Sequence, residues 1–165
     1  MDWFVSHRAD PAAALIADRH YNRQKIGSPQ FVPPGRCLVL RAETGPSRSA
    51  LWVTSWPFAE FVKHEWAGAW ICSIFRNEGA GLASRLIRDA VAATRFHYGD
   101  PPPLGMITFV DPKKVRAKRD PGHTFIIAGF RPCGYTKGGL VALQMEPGRM
   151  PPADPATGMQ LGRIA

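Results

Sequence analysis

The sequence predicts a single α/β domain in which a mixed sheet carries helices on both faces, and three observations lead to this prediction. Short apolar segments typical of strands alternate with amphipathic helical segments along 165 residues, a usual length for one domain. Hydrophobic residues make up 45% of the chain, which excludes a disordered protein although Gly and Pro number 16 each. No apolar run approaches the roughly 18 residues of a membrane span, so we expect no membrane partner.

The first half of the chain predicts a strand, a helix and a hairpin. Asp10 followed by Pro11 supplies an N-cap and a first-turn proline, which places the start of the helix. The cluster Gly45-Pro46-Ser47 separates two apolar segments and predicts the hairpin turn. In chain order we predict a strand over Trp3 to Arg8, a helix over Ala12 to Arg19, a loop over 22–36, and strands over Cys37 to Arg41 and Leu51 to Trp56.

The second half predicts two strands, each followed by a helix, and then two further strands. The continuous apolar run from Trp70 to Phe75 is typical of a central strand that is buried on both faces. Apolar residues at helical spacing predict a helix after Gly81. The remaining predicted elements are a strand over Gly105 to Val110, a short helix over Gly122 to Ala128, strands over Pro132 to Tyr135 and Leu140 to Met145, and a poorly ordered tail from Glu146.

The segment from Arg76 to Gly81 links the predicted central strand to a helix N-terminus and is a candidate anion cradle. Backbone N–H groups and the positive end of the helix dipole suit a pyrophosphate, and glycine lets the backbone approach it closely. The alternative is that Gly79 and Gly81 merely permit a tight turn. A dinucleotide-binding fingerprint is poorly supported, because Ser84 stands where its third glycine would fall.

The six residues from Arg76 to Gly81 (RNEGAG) resemble the R-x-x-G-x-G/A acetyl-CoA loop of the GCN5-related N-acetyltransferases (GNAT), and Ala128 to Tyr135 is similar to the closing signature of that fold. The resemblance implies a mostly antiparallel sheet of about seven strands splayed at its middle, a domain over 1–145 and a tail over 146–165. It also implies acetyl-CoA or a related acyl-CoA as cofactor. The implied cofactor-binding residues are Ser73, Phe75, Arg76, Asn77, Glu78, Gly79, Ala80, Gly81, Leu82 and Ala83.

A narrower resemblance is to the phage Mom-type DNA-modification proteins. Ile107 to Pro112 and Gly122 to Ala128 are similar to the tail of those proteins, and His20-Tyr21-Asn22 and Ala83 to Ile87 fit the same pattern. Mom-type proteins are acetyltransferase-like enzymes that add a carbamoylmethyl-type group to the exocyclic amine of adenine. The resemblance therefore implies an acyltransferase that acts on double-stranded DNA. Two alternatives stay open: a GNAT enzyme for a small-molecule or protein amine, and an inactive module that binds CoA or DNA.

Four residues are candidates for catalysis: His20, Tyr21, Asp111 and Tyr135. His20 and Tyr21 follow the first predicted helix beside a polar loop, although a solvated helix terminus would look the same. Asp111 closes a predicted strand at the edge where ligands of open α/β sheets collect, although Asp-Pro also begins ordinary turns.

One catalytic position departs from the family pattern. The family often has a tyrosine four residues before its Gly-Phe pair, which protonates the departing thiolate, and Phe125 stands there in this chain. Tyr135, Tyr21 or His123 could replace that tyrosine, or the thiolate leaves unprotonated.

The formal net charge of +8 favours a polyanionic partner, and part of it gathers in one run of cations after Asp111. Phosphate contacts there would give DNA affinity that depends on salt, whereas the plain alternative is a solvated loop. The aromatic residues Trp56, Phe58 and Phe61 fall in a predicted loop, where one could stack on a flipped base. The predicted nucleic-acid-binding residues are Arg23, Lys25, Arg36, Lys113, Lys114, Arg116, Lys118 and Arg119.

Cysteine and histidine spacing bears on compartment and metal binding. Cys37, Cys72 and Cys133 are an odd number at wide spacing, which predicts reduced thiols and a cytoplasmic setting. The chain has no Cys-x-x-Cys or His-x₃-His pair, so we predict no metal site.

Overall fold

One seven-stranded sheet organises the chain in this computed structural model, which describes residues 1–20, 26–114 and 122–161. The strands follow the order β1-β2-β3-β4-β5-β7-β6 across the sheet. The elements are β1 (Trp3–Val5), α1 (Pro11–Asp18), β2 (Arg36–Gly45), β3 (Arg48–Trp56), β4 (Trp70–Glu78), α2 (Ala83–Tyr98), β5 (Met106–Val110), α3 (His123–Ala128), β6 (Arg131–Tyr135) and β7 (Val141–Met145). Short 3₁₀ turns lie at Ala59–Phe61 and Pro147–Arg149.

The sheet is mixed and mostly antiparallel, which confirms the predicted class and the predicted order of strands and helices. Every neighbouring pair of strands is antiparallel except β4 and β5. The parallel pair follows from α2, which crosses between two consecutive strands and returns the chain in the same direction.

Helices cover both faces of this sheet, as predicted. On one face α2 and α3 pack against the larger core, in which Trp3, Trp52 and Trp70 are fully buried. On the other face α1 packs against Val39 and Val53 in a second core. Because apolar burial stabilises in proportion to area, at about 25 cal/mol per Å², the three buried indoles make the first face the main source of stability.

The predicted bounds of four strands are wrong. β1 ends at Val5, before the polar residues that follow, and β2 and β3 extend to a tight turn at Gly45–Arg48. β4 continues through Arg76, Asn77 and Glu78, which were predicted to lie in the loop. Cross-strand pairing explains the difference, because Arg76 and Asn77 pair with β3 although their side chains are polar.

The described part of the predicted tail is ordered against the domain. Met150 is buried in the larger core, the Asp154 N–H donates to the Ala92 carbonyl at 3.1 Å, and the Gly158 N–H donates to the Trp3 carbonyl at 2.7 Å. The prediction of poor order, which was drawn from Pro and Gly content, is therefore wrong for this segment.

Within the described residues, no helix combines the length and the apolar character that a membrane span requires.

Candidate functional site

A β-bulge in the middle of β4 marks the centre of the candidate site. Val53 of β3 pairs with Ile74 and Thr54 pairs with Cys72, so Ser73 is an extra residue without an opposite partner. The bulge breaks the alternation of faces: Cys72 packs in the core under α2, and Ile74 packs in the core under α1. The Ser73 hydroxyl lies 3.1 Å from the Ser55 hydroxyl and donates to the Val53 carbonyl at 3.4 Å.

The two parallel strands separate at the same level as the bulge. Pairing of β4 with β5 ends at Cys72 and Thr108, where the Thr108 hydroxyl donates to the Cys72 carbonyl at 3.2 Å. β4 continues to Glu78 and β5 to Val110 without further pairing to each other. The half of β4 beyond Cys72 therefore lacks a β5 partner. β4 was predicted to be buried on both faces, but it is half-buried at alternate positions.

Aromatic rings line the gap on the α2 side. The Phe125 ring of α3 meets the Phe75 ring of β4 edge-on, with centroids 5.9 Å apart, and lies 6.4 Å from the Trp52 ring. Phe125 also contacts Phe130 edge-on at 5.3 Å. The position where the family resemblance expects a proton donor is thus occupied by an apolar contact.

Side chains hold the glycine loop that follows β4. Gly79 has a φ of 83°, which L-residues with a side chain rarely adopt. The Asn77 side chain accepts a hydrogen bond from the Ala80 N–H at 3.0 Å and donates to the Gly81 carbonyl at 2.8 Å. Arg48 donates to the Gly79 carbonyl at 3.1 Å, and Thr44 donates to the Ala80 carbonyl at 2.9 Å. The loop carbonyls therefore bond to protein, which fixes the backbone that leads into α2.

The N-terminus of α2 is suited to an anion. Its N-cap residue is Leu82, which has no side-chain oxygen, and the first turn contains no acidic residue. No side chain of the described residues caps this terminus, so its first N–H groups keep the partial positive charge of the helix. The Leu82 side chain is 72% exposed.

An ion-pair group lies beside the loop on the α1 side. Glu78 accepts from Arg19 through both carboxylate oxygens at 2.6 Å and from the Arg76 Nε at 2.7 Å. The Arg19 hydrogen bonds are the largest cause of a lowered Glu78 pKa, about 2, with Arg76 adding to the effect against burial. Arg76 is therefore held towards α1 by Glu78, and only part of its guanidinium remains for a ligand.

His20 lies against β4 just above the bulge. It follows α1 directly, is 9% exposed, and forms a hydrogen bond with the Phe75 backbone. The pKa of His20 is lowered to about 4: burial is the largest cause, the charge of Arg76 adds to it, and the Phe75 hydrogen bond partly opposes both. His20 is thus a neutral imidazole at physiological pH, beside the strand that the sequence predicts to hold the cofactor.

Asp111 and Tyr135 lie at the same end of the sheet as the glycine loop. Cys72 and Thr108 form the last β4–β5 pair. Phe75 lies three residues after Cys72, and Asp111 lies three residues after Thr108. The Asp111 side chain accepts from the Lys113 N–H at 2.9 Å, which is the turn geometry of the plain alternative. Tyr135 aligns with Val141 and is 71% exposed on the edge strand β6, two strands away from β5.

The structure separates the predicted nucleic-acid residues. Lys113 and Lys114 follow Asp111 at the open end of the β4–β5 pair. Arg36 pairs with Trp56 at the opposite end of the sheet and does not join them. The predictions for Tyr21, Arg23, Lys25, Arg116, Lys118 and Arg119 fall outside the described residues.

No similarity to known proteins adds to the geometry of the site. Neither a scan against protein-family models, nor a search of curated proteins, nor a search of solved structures gives a match. Within residues 1–20, 26–114 and 122–161, no group of three or more His, Cys, Asp or Glu side chains is placed to hold a metal ion.

Proposed function

We propose that this protein is an acyl-CoA-dependent transferase of the GNAT type, and that it acts on the exocyclic amine of adenine in DNA. The observation that carries the proposal is the coincidence, on one strand, of the bulge at Ser73, the end of β4–β5 pairing at Cys72, and a glycine loop that leads into an uncapped helix. Bulges and helix N-termini are common at ligand sites, and here both lie at the carboxyl end of parallel strands.

The residues of this end fit the phosphates and the thioester of an acyl-CoA. The uncapped α2 N-terminus offers N–H groups to a pyrophosphate, and its first turn contains no acidic residue. β4 beyond Cys72 has lost its β5 partner, so its backbone can hydrogen-bond a bound molecule in place of a strand. Acyl-CoA supplies the activated acyl group when bound.

His20 is the group best placed to receive a proton from an acceptor amine. Its imidazole is neutral because its pKa is lowered to about 4. That low pKa makes it a weak base, which suits an amine of low basicity such as the exocyclic amine of adenine, since the amine nitrogen becomes acidic as its bond to carbon forms. No protic side chain is available at Phe125, so the thiolate leaves without a proton from that position.

DNA as the acceptor is supported by charge. The net charge is +8, and Lys113 and Lys114 lie directly after Asp111 at the end of the sheet where the parallel strands separate. Duplex DNA is recognised first through its phosphates, so cations beside the cleft would hold a duplex while a base enters.

The cofactor half of the proposal is tested at Leu82. Leu82→Asp places a capping carboxylate on the N–H groups of α2, so it should stabilise the fold by about 1 kcal/mol. The same carboxylate should weaken acetyl-CoA binding at least tenfold in titration calorimetry, because it occupies and repels the phosphate position. Leu82→Ala is the matched control and should change neither quantity appreciably. Equal CoA affinity in all three proteins would contradict the proposed cofactor site.

The transfer half is tested on DNA. Duplex DNA incubated with the protein and acetyl-CoA is digested to nucleosides and examined by mass spectrometry, with CoA-free and His20→Gln reactions as controls. A mass-shifted deoxyadenosine that requires both CoA and His20 is expected. CoA binding without a shifted nucleoside would reject DNA as the acceptor.

A second candidate is a module that binds acyl-CoA without turnover. Phe125 favours it, because this aromatic contact replaces the family's usual proton donor. In that case the Leu82 variants would change acetyl-CoA affinity as expected, but neither an amine nor a nucleobase would gain mass.

A further inference from the structure

A second cationic surface lies at the opposite end of the sheet from the glycine loop, and its Arg36 lies against aromatic rings. Arg36 begins β2 and lies beside Trp56, the last residue of β3. Its guanidinium carbon is 4.1 Å from the centre of the Trp56 ring and 4.8 Å from that of Phe58. Its Nε donates to the Trp56 carbonyl at 3.1 Å. The guanidinium is thus held by its faces and one N–H, which leaves other N–H groups for a ligand.

Arg8 joins Arg36 at this end. It donates to the Gly35 carbonyl and to the Cys37 sulfur, the two residues that flank Arg36, the latter at 3.0 Å. Both arginines also act electrostatically on Tyr98 at the end of α2. Among the described residues, no carboxylate forms an ion pair with either arginine, although both are exposed. Two neighbouring cations without a counter-charge create a positive local potential, which attracts an anion.

Exposed aromatic rings extend this surface. Phe58 is 53% exposed and Phe61 is 75% exposed; Phe58 precedes the 3₁₀ turn and Phe61 is its last residue. Neighbouring exposed rings can mark an interaction site. Glu60 lies on the same turn and is the acidic side chain there.

We propose that Arg8, Arg36, Phe58 and Phe61 bind an unpaired segment of nucleic acid, with the arginines on phosphates and the phenylalanines stacked on bases. Guanidinium edges match phosphate oxygens, and aromatic faces accept any base, so the surface combines the two elements that single-strand binding needs. An acidic protein would use the arginines and leave the two rings without a role.

This surface is independent of the transferase proposal, because it lies at the other end of β4. β4 has nine residues from Trp70 to Glu78, so its two ends lie roughly 26 Å apart at about 3.3 Å per residue. Changes here should leave acetyl-CoA affinity as it is, so the two proposals fail separately.

The experiment measures fluorescence anisotropy of a labelled 15-nucleotide oligothymidylate and of a duplex of equal length over a series of salt concentrations. Arg8→Ala/Arg36→Ala should weaken single-strand binding at least tenfold and flatten the log–log salt slope by about 1.4, or about 0.7 for each lost phosphate contact. Phe58→Ala/Phe61→Ala should weaken it at least tenfold and flatten the salt slope less than the arginine variant does, since both cations remain. Glu60→Gln should tighten it.

The matched control is Arg131→Ala/Lys137→Ala, which removes two exposed cations from β6 and the turn after it. It should change single-strand affinity less than twofold. Thermal melts of every variant show that the fold is retained, and Arg36→Lys retains the charge if the alanine variant fails to fold. The proposal is overturned if the wild type does not bind the single strand, if the control weakens binding as much as the arginine variant, or if polyglutamate competes equally and the phenylalanine variant binds normally.

Discussion

The two ends of β4 differ in what holds them, although they belong to one continuous strand. The Trp70 end pairs with both neighbours, and the Trp70 ring is fully buried between Trp56 and Tyr98. The Glu78 end pairs with β3 alone and carries polar side chains into an exposed glycine loop. The comparison shows that packing and pairing on both sides fix the strand at the closed end, whereas pairing on one side and side-chain hydrogen bonds hold the open end.

The sharpest test of this contrast uses two glycines of positive φ, one at each end. A Cβ on Gly105, at the closed end, would overlap the Met145 carbonyl, and its φ is 67°. A Cβ on Gly79, at the open end, meets nothing closer than Arg48 at 4.0 Å. Gly105→Ala should lower the free energy of unfolding by about 3 to 5 kcal/mol, since overpacking and strain add, and Gly79→Ala by about 1 to 2 kcal/mol from strain alone. Chemical denaturation measures both. Equal losses would mean that the two ends are equally packed.

A pH series tests the open end through His20, whose pKa of about 4 in the folded protein lies below the ordinary histidine value of 6.5. Folding favours the neutral imidazole of His20. Its contribution to the free energy of unfolding is therefore complete above pH 6.5 and declines as the pH falls towards 4. The loss should be on the order of 3 kcal/mol. His64 also has a lowered pKa because of burial, so the difference between the wild type and His20→Gln isolates His20. Denaturation at pH 7, 6, 5 and 4.5 should give a shallower slope for the variant. Parallel slopes would show that His20 is not buried neutral.

The smallest expected effect is on the ion pairs beside the loop. Glu78→Gln removes the carboxylate that holds Arg76 and Arg19, so it should raise acetyl-CoA affinity about threefold by freeing Arg76 and removing a negative charge from the site. Glu43→Gln is the control, since Glu43 pairs with Arg41 instead. Titration calorimetry compares the two. A lower affinity in Glu78→Gln would mean that the carboxylate positions the loop and does not compete with the ligand.

Much of the fold could be predicted because its signals are local. The alternating apolar segments gave the strands, Asp10 caps α1 through the Ala12 N–H at 2.9 Å, and Gly129 ends α3 with a φ of 116°. The extension of β4 was missed because Arg76 to Glu78 are polar and are kept in the strand by pairing with β3, which the local pattern does not contain.

Less of the site could be predicted, because its features join distant residues. The glycine loop was visible as a motif, but the bulge at Ser73 depends on register with β3 and has no signature in composition. The Arg19–Glu78 ion pair links α1 to β4, and the burial of His20 follows from that same packing. Leu82 carried a readable signal, since helices usually begin with a capping side chain and this one does not.

The segment that runs back to Trp3 has a consequence for how the protein is made. β1 lies at one edge of the sheet, and the Gly158 N–H bonds to its Trp3 carbonyl while Asp154 bonds to α2. During synthesis from the N-terminus, β1 has to wait for residue 158 to leave the ribosome before that edge is covered. Until then this edge of β1 is open to pairing with neighbouring chains, which favours aggregation of the nascent protein.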